Sequence, residues 1–108
     1  GCRRNGRNNP LNMPYVLGKF CDENEIEEIG KRYRLQVPME NAKEKLSELL
    51  LANKEGKSNR DLSNSEIDEL LENKIKEEFS AYKTIIVNGW IISPTEARQC
   101  ALFSLTKN

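Results

Sequence analysis

Apolar residues recur at helical spacing in the first three quarters of the chain, and this pattern predicts a mainly α protein. Ile26, Ile29 and Tyr33 follow one another at intervals of three and four residues, which places them on one face of a helix. The pattern predicts a helix over residues 23–35. Gly30 lies inside this helix and lowers its intrinsic stability by about 1 kcal/mol.

Two further helices are predicted on either side of a polar loop. The first opens at Pro38, which suits the first turn of a helix, and runs to about residue 52. Residues 53–62 are polar with a central glycine and are typical of a loop. Ser63 and Glu66 then form a capping-box signature, which opens a long helix over residues 64–82. The apolar positions of the two helices are Ala42, Leu46, Leu49 and Leu50, and then Ile67, Leu70, Leu71, Ile75, Phe79 and Tyr82.

The pattern changes after Tyr82. Residues 84–92 consist of two β-branched or aromatic runs joined by Asn88-Gly89, and this dipeptide favours the two positive φ angles of a type I′ turn. Ser93-Pro94 and Glu96 then carry the signals of a helix start. A last helix is therefore predicted over residues 94–106, and its nearly continuous apolar character indicates that it is buried, in this core or against a partner.

These elements predict a small bundle of three to four helices with one C-terminal β-hairpin. The 108 residues are 37% apolar, which is enough for one small core and not for two. Residues 1–10 are polar and read as a flexible tail. Residues 11–108 form the predicted single domain, with a helical turn or two opening at Pro14.

The charge balance and the absence of histidine narrow the classes of function. Lys and Arg number 17, as do Asp and Glu, so the basic excess of a nucleic-acid-binding protein is missing. No apolar run approaches the roughly 20 residues that cross a bilayer. Without histidine, Ser/His/Asp and Cys/His catalytic groups cannot be built inside this chain, and a closed zinc site is hard to assemble. We therefore predict no catalysis, no metal and no organic cofactor.

Charged residues are distributed unevenly along the chain. The first 21 residues carry a net charge of +4 and residues 22–78 carry −6. Residues 22–28 hold five acids, but they lack the central glycine and alternating oxygen ligands of a calcium loop. We interpret this cluster as the solvated start of a helix, with Asp22 as its N-cap.

Three cysteines are widely spaced, which matches neither a disulfide framework nor a zinc site. Cys21 and Cys100 read as small buried apolar residues, and the alternative is a disulfide between them. Gly1-Cys2 has two interpretations that the sequence leaves open. Gly1 is a residue left by an expression tag, or the pair is the remnant of a lipoprotein signal and Cys2 is the site of lipid attachment.

Candidate binding residues cluster between the hairpin and the last helix. Trp90 is the only tryptophan, and it either covers the core or serves as an anchor in a partner's pocket. Glu96 is explained by its capping role, although Glu96 and Arg98 could also contribute to a site shared with another subunit. Arg98 is the better candidate for a surface contact.

The stretch from Asn88 to Leu102, NGWIISPTEARQCAL, resembles the C-terminal ending of small exported bacterial proteins. Some of these are similar to accessory subunits of membrane-associated sugar or alcohol dehydrogenases. The resemblance implies a non-catalytic role in the folding, export or anchoring of a larger partner. The positions that would define such a family are Trp90, Ser93, Thr95, Glu96 and Arg98.

The leading hypothesis is a small exported accessory protein that binds a larger membrane-associated protein. It would be periplasmic or anchored to the membrane through lipid on Cys2. The alternative is a cytoplasmic helical adaptor or regulator that binds a protein partner through its acidic middle. A third hypothesis is an enzyme subunit that lends Glu96 or Arg98 to a shared site. All three imply a protein partner, and none implies nucleic acid.

Overall fold

Helices make up most of the computed structural model, which describes residues 10–15, 17–52 and 62–106. The prediction of a mainly α fold with one C-terminal hairpin is confirmed. Most of the predicted tail, including Cys2, and nearly all of the predicted loop at 53–62 lie outside the described residues. The described elements are 3-10 helices at Pro10–Asn12 and Pro38–Glu40, helices α1 (Leu17–Phe20), α2 (Glu23–Gln36), α3 (Lys43–Leu51), α4 (Asn64–Ser80) and α5 (Pro94–Thr106), and strands β1 (Ile85–Val87) and β2 (Trp90–Ile92).

Helix α5 forms the centre of the core. It packs most extensively against α2 and also contacts α3 and α4. The near-continuous apolar sequence of this helix predicted its burial, and the structure shows that the covering comes from within the chain. Its buried residues are Thr95, Glu96, Ala97, Gln99, Cys100, Ala101, Leu102 and Ser104.

A glycine sets the close approach of α2 and α5. A Cβ atom on Gly30 would overlap the carbonyl oxygen of Cys100 and would lie 2.9 Å from the Cα of Ala101. Real Cβ atoms do not approach backbone atoms this closely, so only glycine fits here. The glycine that weakens the helix by propensity therefore stabilises the fold through packing.

The hairpin has the predicted turn. Asn88 and Gly89 adopt φ angles of 52° and 82°, as a type I′ turn requires. The antiparallel register pairs Val87 with Trp90, Ile86 with Ile91 and Ile85 with Ile92. Because side chains alternate between the two faces of a strand, Ile86 and Ile91 share the outer face. The other four point towards the helices.

The helix predicted to open at Pro38 is broken, and this part of the prediction is wrong. Pro38–Glu40 forms a 3-10 turn, Ala42 adopts an extended conformation, and α3 begins only at Lys43. The carboxylate of Glu40 binds Arg98 of α5 and the hydroxyl of Tyr33, which holds the turn against the core. Leu46 and Leu50 are buried as predicted, whereas Ala42 is exposed.

Helix α4 ends two residues before the predicted boundary. Tyr82 has a φ angle of 58°, and the amide of Lys83 donates to the carbonyl of Glu78 at 2.8 Å. This is the hydrogen-bond pattern of a Schellman motif, in which the left-handed position is usually glycine. Tyr82 is 91% exposed, so it does not extend the apolar stripe of the helix.

Candidate partner-binding site

The three candidate residues lie on two sides of α4. Trp90 and Glu96 line one groove together with Ile75 and Phe79 of α4. Arg98 lines a second groove together with the opposite face of that helix, which carries Leu70, Lys74 and Glu77. The structure therefore brings Trp90 and Glu96 together and places Arg98 elsewhere.

Glu96 is committed to the start of α5. Its Oε1 accepts from the Ser93 amide at 3.0 Å and from the Ser93 hydroxyl at 3.2 Å, while its own amide donates to Ser93 Oγ at 3.1 Å. The residue is only 4% exposed. The predicted capping role of Glu96 is confirmed, and its carboxylate fixes the junction between β2 and α5.

A second carboxylate binds the same helix start. Glu78 of α4 accepts from the Thr95 amide at 3.0 Å and from the Thr95 hydroxyl at 2.8 Å. Negative charge is favoured at this end of a helix dipole. The contact joins the end of α4 to the beginning of α5, so it closes the base of the hairpin.

Arg98 is engaged with a carboxylate from the turn after α2. Its Nε donates to Glu40 Oε1 at 2.9 Å, and its Nη2 donates to Glu40 Oε2 at 3.3 Å. The Tyr33 hydroxyl also donates to Glu40 Oε1, at 2.8 Å. Two-point binding of this kind is directional, so the guanidinium of Arg98 is held in one orientation at the rim of its groove.

This cluster shifts the pKa values of its members. Burial alone would raise the pKa of Glu40, but the hydrogen bonds from Arg98 and Tyr33 outweigh burial and lower it below its ordinary value. Burial, supported by the hydrogen bond to Glu40, raises the pKa of Tyr33 to about 12. The ion pair and the neutral phenol are therefore the stable forms at neutral pH.

Lys74 caps the C-terminal end of α3. Its Nζ donates to the carbonyls of Leu49, Leu50 and Ala52 at 2.7, 2.9 and 3.3 Å. These are carbonyls that a helix end leaves without internal partners. Burial lowers the pKa of Lys74, and the nearby Glu78 opposes that shift. All three bonds go to the backbone, so this ammonium is structural.

Apolar side chains dominate the groove that contains Trp90. This hairpin groove has a volume of about 580 Å³ and lies between α4 and β2. Trp90 is partly buried and packs against the core, while Phe79 is 42% exposed. Ile86 and Ile91, on the outer face of the hairpin, are each 66% exposed. Trp90 thus belongs to the core and to the groove wall at the same time.

Comparison with known protein families, curated proteins and solved structures gives no match for this chain. No helix within residues 10–15, 17–52 and 62–106 combines the length and apolar character that crossing a bilayer requires. In the same ranges, His, Cys, Asp and Glu side chains form no group of three or more that could hold a metal ion.

Both described cysteines are buried free thiols. Burial raises the pKa of Cys100 far above its ordinary value, and the nearby Glu96 adds to the shift. Burial also raises the pKa of Cys21. Because the thiolate is the reactive form, both side chains remain protonated and act as packing groups, as the first of the two sequence interpretations expects.

Several residues of this region could not be identified from the sequence. Glu40, Glu78 and Lys74 bind Arg98, Thr95 and the end of α3, each of which lies 17 or more residues away in the sequence. Only capping by near neighbours leaves a local signal, and these contacts depend on how the helices pack. The apolar stripe of α4 includes Phe79, but that stripe predicted that Phe79 lies in the core and not in a partly exposed groove.

Proposed function

We propose that this protein is a non-catalytic accessory protein that binds a larger protein partner through its hairpin face. We define the hairpin face as Phe79, Ile86, Trp90 and Ile91. The observation that carries the proposal is the cross-strand pair Ile86–Ile91, which presents two large apolar side chains to solvent at 66% exposure each.

The outer pair is not needed to complete the core. On the opposite face, Val87 and Ile92 are buried and already fix the hairpin against the helices. Ile91 lines the groove whose wall includes Trp90, and Ile86 is its cross-strand partner. Contiguous exposed apolar surface marks interaction sites, and a large aromatic residue within it is typical of a binding hot spot.

The polar contacts behind the hairpin face support this role because they make it rigid. The Ser93–Glu96 capping box and the Glu78–Thr95 contact fix both ends of the segment that carries the hairpin. A surface that is already ordered loses little conformational entropy on binding. The charged groups near the hairpin thus support the binding surface and need not touch the partner themselves.

The proposal includes a location outside the cytoplasm, with a lipid anchor on Cys2. It is supported by the Gly1-Cys2 pair, the polar stretch that follows it, and the resemblance of residues 88–102 to exported accessory proteins. Metabolic labelling with a fatty-acid analogue tests the anchor in the natural gene product. Label that disappears in Cys2→Ser is expected. An unlabelled protein in the cytoplasmic fraction would favour the adaptor hypothesis.

Partner binding is tested by co-purification of the natural protein from its own cells after crosslinking. The double variant Ile86→Ser/Ile91→Ser removes the outer apolar pair, and Leu35→Ser is a control because Leu35 is equally apolar and exposed, on α2. We expect the wild type and the control to recover one partner in constant ratio. Recovery of the partner by the double variant should fall at least tenfold, while the Tm of this variant stays within a few degrees of the wild type. Equal recovery by all three would contradict the proposal.

A further inference from the structure

The turn of the β-hairpin is open on its outer side. Asn88 and Gly89 are both exposed, and their φ angles of 52° and 82° place them in the left-handed region. Apart from the two chain neighbours of Gly89, no atom of the described residues lies within 4 Å of the position that a Cβ atom on this glycine would take. The turn therefore stands clear of the described helices at this point.

An asparagine followed by glycine can lose ammonia in water without a catalyst. The backbone nitrogen of Gly89 attacks the side-chain carbon Cγ of Asn88, and a bond between these two atoms forms as the Cγ–Nδ2 bond breaks. The side-chain nitrogen takes the proton of the attacking amide and leaves as ammonia, which gives a succinimide ring. Water then opens the ring at either of its carbonyls and leaves aspartate or isoaspartate at position 88. Glycine permits this approach because it has no Cβ atom.

Both reacting groups are free in the folded turn. The last pair of the two strands is Val87 with Trp90, so the amide of Gly89 lies beyond the paired residues. Among the residues that the structure describes, neither this amide nor the side chain of Asn88 has a hydrogen-bond partner. No hydrogen bond therefore has to break before the nitrogen of Gly89 attacks the side chain of Asn88.

Asn41 shows the opposite arrangement. It is also exposed and also lies outside the helices. Its Oδ1 accepts from Arg34 Nη1 at 3.3 Å. The amide of the next residue, Ala42, donates to the carbonyl of Glu40 at 2.9 Å. At Asn41 both groups that the reaction needs are already bound, so the hydrogen bonds of the fold distinguish this asparagine from Asn88.

The two products of the reaction have different effects on the hairpin. Aspartate leaves the main chain as it is, and Asp-Gly favours the same type I′ turn as Asn-Gly. Isoaspartate routes the main chain through the side chain, which adds one backbone carbon between Val87 and Trp90. Turn length fixes the register of a hairpin, so the pairs next to the turn, including Ile86 with Ile91, cannot keep their present geometry. Each strand has only three residues, and so short a hairpin has little else to hold it.

We propose that Asn88 is a site of spontaneous deamidation and that its isoaspartate product opens the hairpin. The reaction needs only water, and it does not reverse because the ammonia leaves. The Ile86–Ile91 pair of the hairpin face is lost when the hairpin opens. The resulting loss of partner binding rests on the proposed function, whereas the modification itself does not. Asn88 thereby limits the time for which one molecule can bind its partner.

Ageing of the purified protein in mildly alkaline buffer tests the modification. The wild type is compared with Ala42→Gly, which puts the same Asn-Gly dipeptide at Asn41, where the side chain and the next amide are both hydrogen-bonded. A synthetic peptide of residues 84–93 gives the rate without the fold. Peptide mapping by mass spectrometry measures the conversion of amide to acid at each position, and chromatography separates isoaspartate from aspartate.

The rates at the two positions decide whether the fold selects Asn88. We expect Asn88 to react within a factor of ten of the free peptide and at least tenfold faster than Asn41 in Ala42→Gly. Equal rates at the two positions would overturn the proposal, because the fold would then make no distinction between them. A rate at Asn88 more than tenfold below that of the peptide would also overturn it, because the turn would then protect the residue.

The fluorescence of Trp90 reports whether the hairpin opens. Trp90 is the only tryptophan and is partly buried beside the turn, so opening should shift its emission to longer wavelength in the isolated isoaspartate form. Asn88→Gly is the control, because Gly-Gly suits the same turn but has no side-chain amide to react. After the same ageing, this variant should keep its emission. An unchanged emission in the isoaspartate form would contradict the opening of the hairpin and overturn the proposal.

Partner recovery separates this proposal from the proposed function. The isoaspartate form should recover the partner at least tenfold less than the unreacted form. Aged Asn88→Gly and fresh Asn88→Asp, which carries the charge of the other product, should recover it fully. If the isoaspartate form opens its hairpin but still recovers the partner, the proposed function fails and the modification stands. If Asn88 does not react but Ile86→Ser/Ile91→Ser loses the partner, the modification fails and the proposed function stands.

Discussion

The backbone carbonyl of Cys100 on α5 lies directly against Gly30 on α2, so that the two helices meet without a side chain between them. The residues around this crossing are among the most buried of the fold, including Ile26, Ile29 and Ala101. Because the obstacle to a side chain is backbone, a neighbouring rotamer cannot relieve it. The position of α2 on α5, and with it the position of the whole core, depends on this glycine.

Gly30→Ala should therefore destabilise the protein. Helix propensity alone would favour alanine by about 1 kcal/mol, but the overlap with the Cys100 carbonyl forces the helices apart, and overpacking costs about 1–3 kcal/mol or more. We expect a net loss in the free energy of unfolding by urea denaturation. Gly18→Ala is the control, because its nearest neighbour is Met13 Sδ at 3.6 Å. A Gly30→Ala protein as stable as this control would contradict the packing role.

Tyr82→Gly should stabilise the protein. Tyr82 is almost fully exposed and adopts the left-handed conformation at the end of α4, where glycine avoids a steric cost of about 1–2 kcal/mol. The greater entropy of glycine in the unfolded chain offsets part of this gain. A net increase of about 0.5–1 kcal/mol is expected from thermal unfolding. Tyr82→Ala keeps the Cβ atom and should give no comparable increase.

Trp90→Ala should lower both stability and partner binding. The side chain packs against the core but is only partly buried, so we expect a loss of about 2 kcal/mol, below the 3–5 kcal/mol of a fully buried tryptophan. Ile91→Ala on the exposed face should cost less than 1 kcal/mol. Equilibrium denaturation of the two variants separates these contributions. If Trp90→Ala is as stable as the wild type, the indole contributes to the binding surface and not to the packing of the core.

Acid should weaken the contact between Glu40 and Arg98. The folded state lowers the pKa of Glu40 from its ordinary value of 4.5. The stabilisation by its carboxylate is therefore complete above that value and is lost as the pH falls through the lowered pKa. Glu40→Gln should flatten the acid limb of the stability curve. Glu72→Gln is the control, because Glu72 is an exposed residue with a long ion-pair contact.

High pH should destabilise the protein through ionisation of the Tyr33 hydroxyl. Its pKa is raised from 10 to about 12 in the folded state, so the folded protein binds the phenolic proton more tightly than the unfolded chain. The corresponding stabilisation is complete below pH 10 and is lost as the pH rises from 10 to about 12. Stability measured across this range should fall more steeply for the wild type than for Tyr33→Phe. Parallel curves would contradict the burial and the hydrogen bond to Glu40 that together raise this pKa.

Features encoded within a few neighbouring residues could be predicted from the sequence. The capping boxes at Ser63–Glu66 and Ser93–Glu96 and the turn at Asn88-Gly89 each depend on groups three residues apart or closer, and the structure has all of them. Their geometry is fixed by local backbone chemistry. The start of α5 and the position of the hairpin were therefore predictable.

Features that depend on the arrangement of the helices could not be predicted. The sequence suggested that Pro38 opens a helix, because it cannot show that Glu40 is drawn towards Arg98, 58 residues away. For Gly30, the sequence likewise indicated only that glycine lowers the intrinsic stability of the helix. Arg98 was expected at the surface, whereas the fold ties its guanidinium to Glu40. The partial exposure of the apolar stripe of α4 could not be predicted for the same reason, since periodicity does not reveal how much of a stripe the fold will cover.

The central position of α5 has a consequence for how the protein is made. Ribosomes synthesise α2, α3 and α4 before the helix that covers their apolar faces, so Ile26, Leu46 and Leu71 emerge without their native neighbours. Local helices can form during this interval, but isolated helices of this length are marginal in water. The core can close only after residues 94–106 have left the ribosome. Until then, the nascent chain exposes apolar segments that a chaperone can bind.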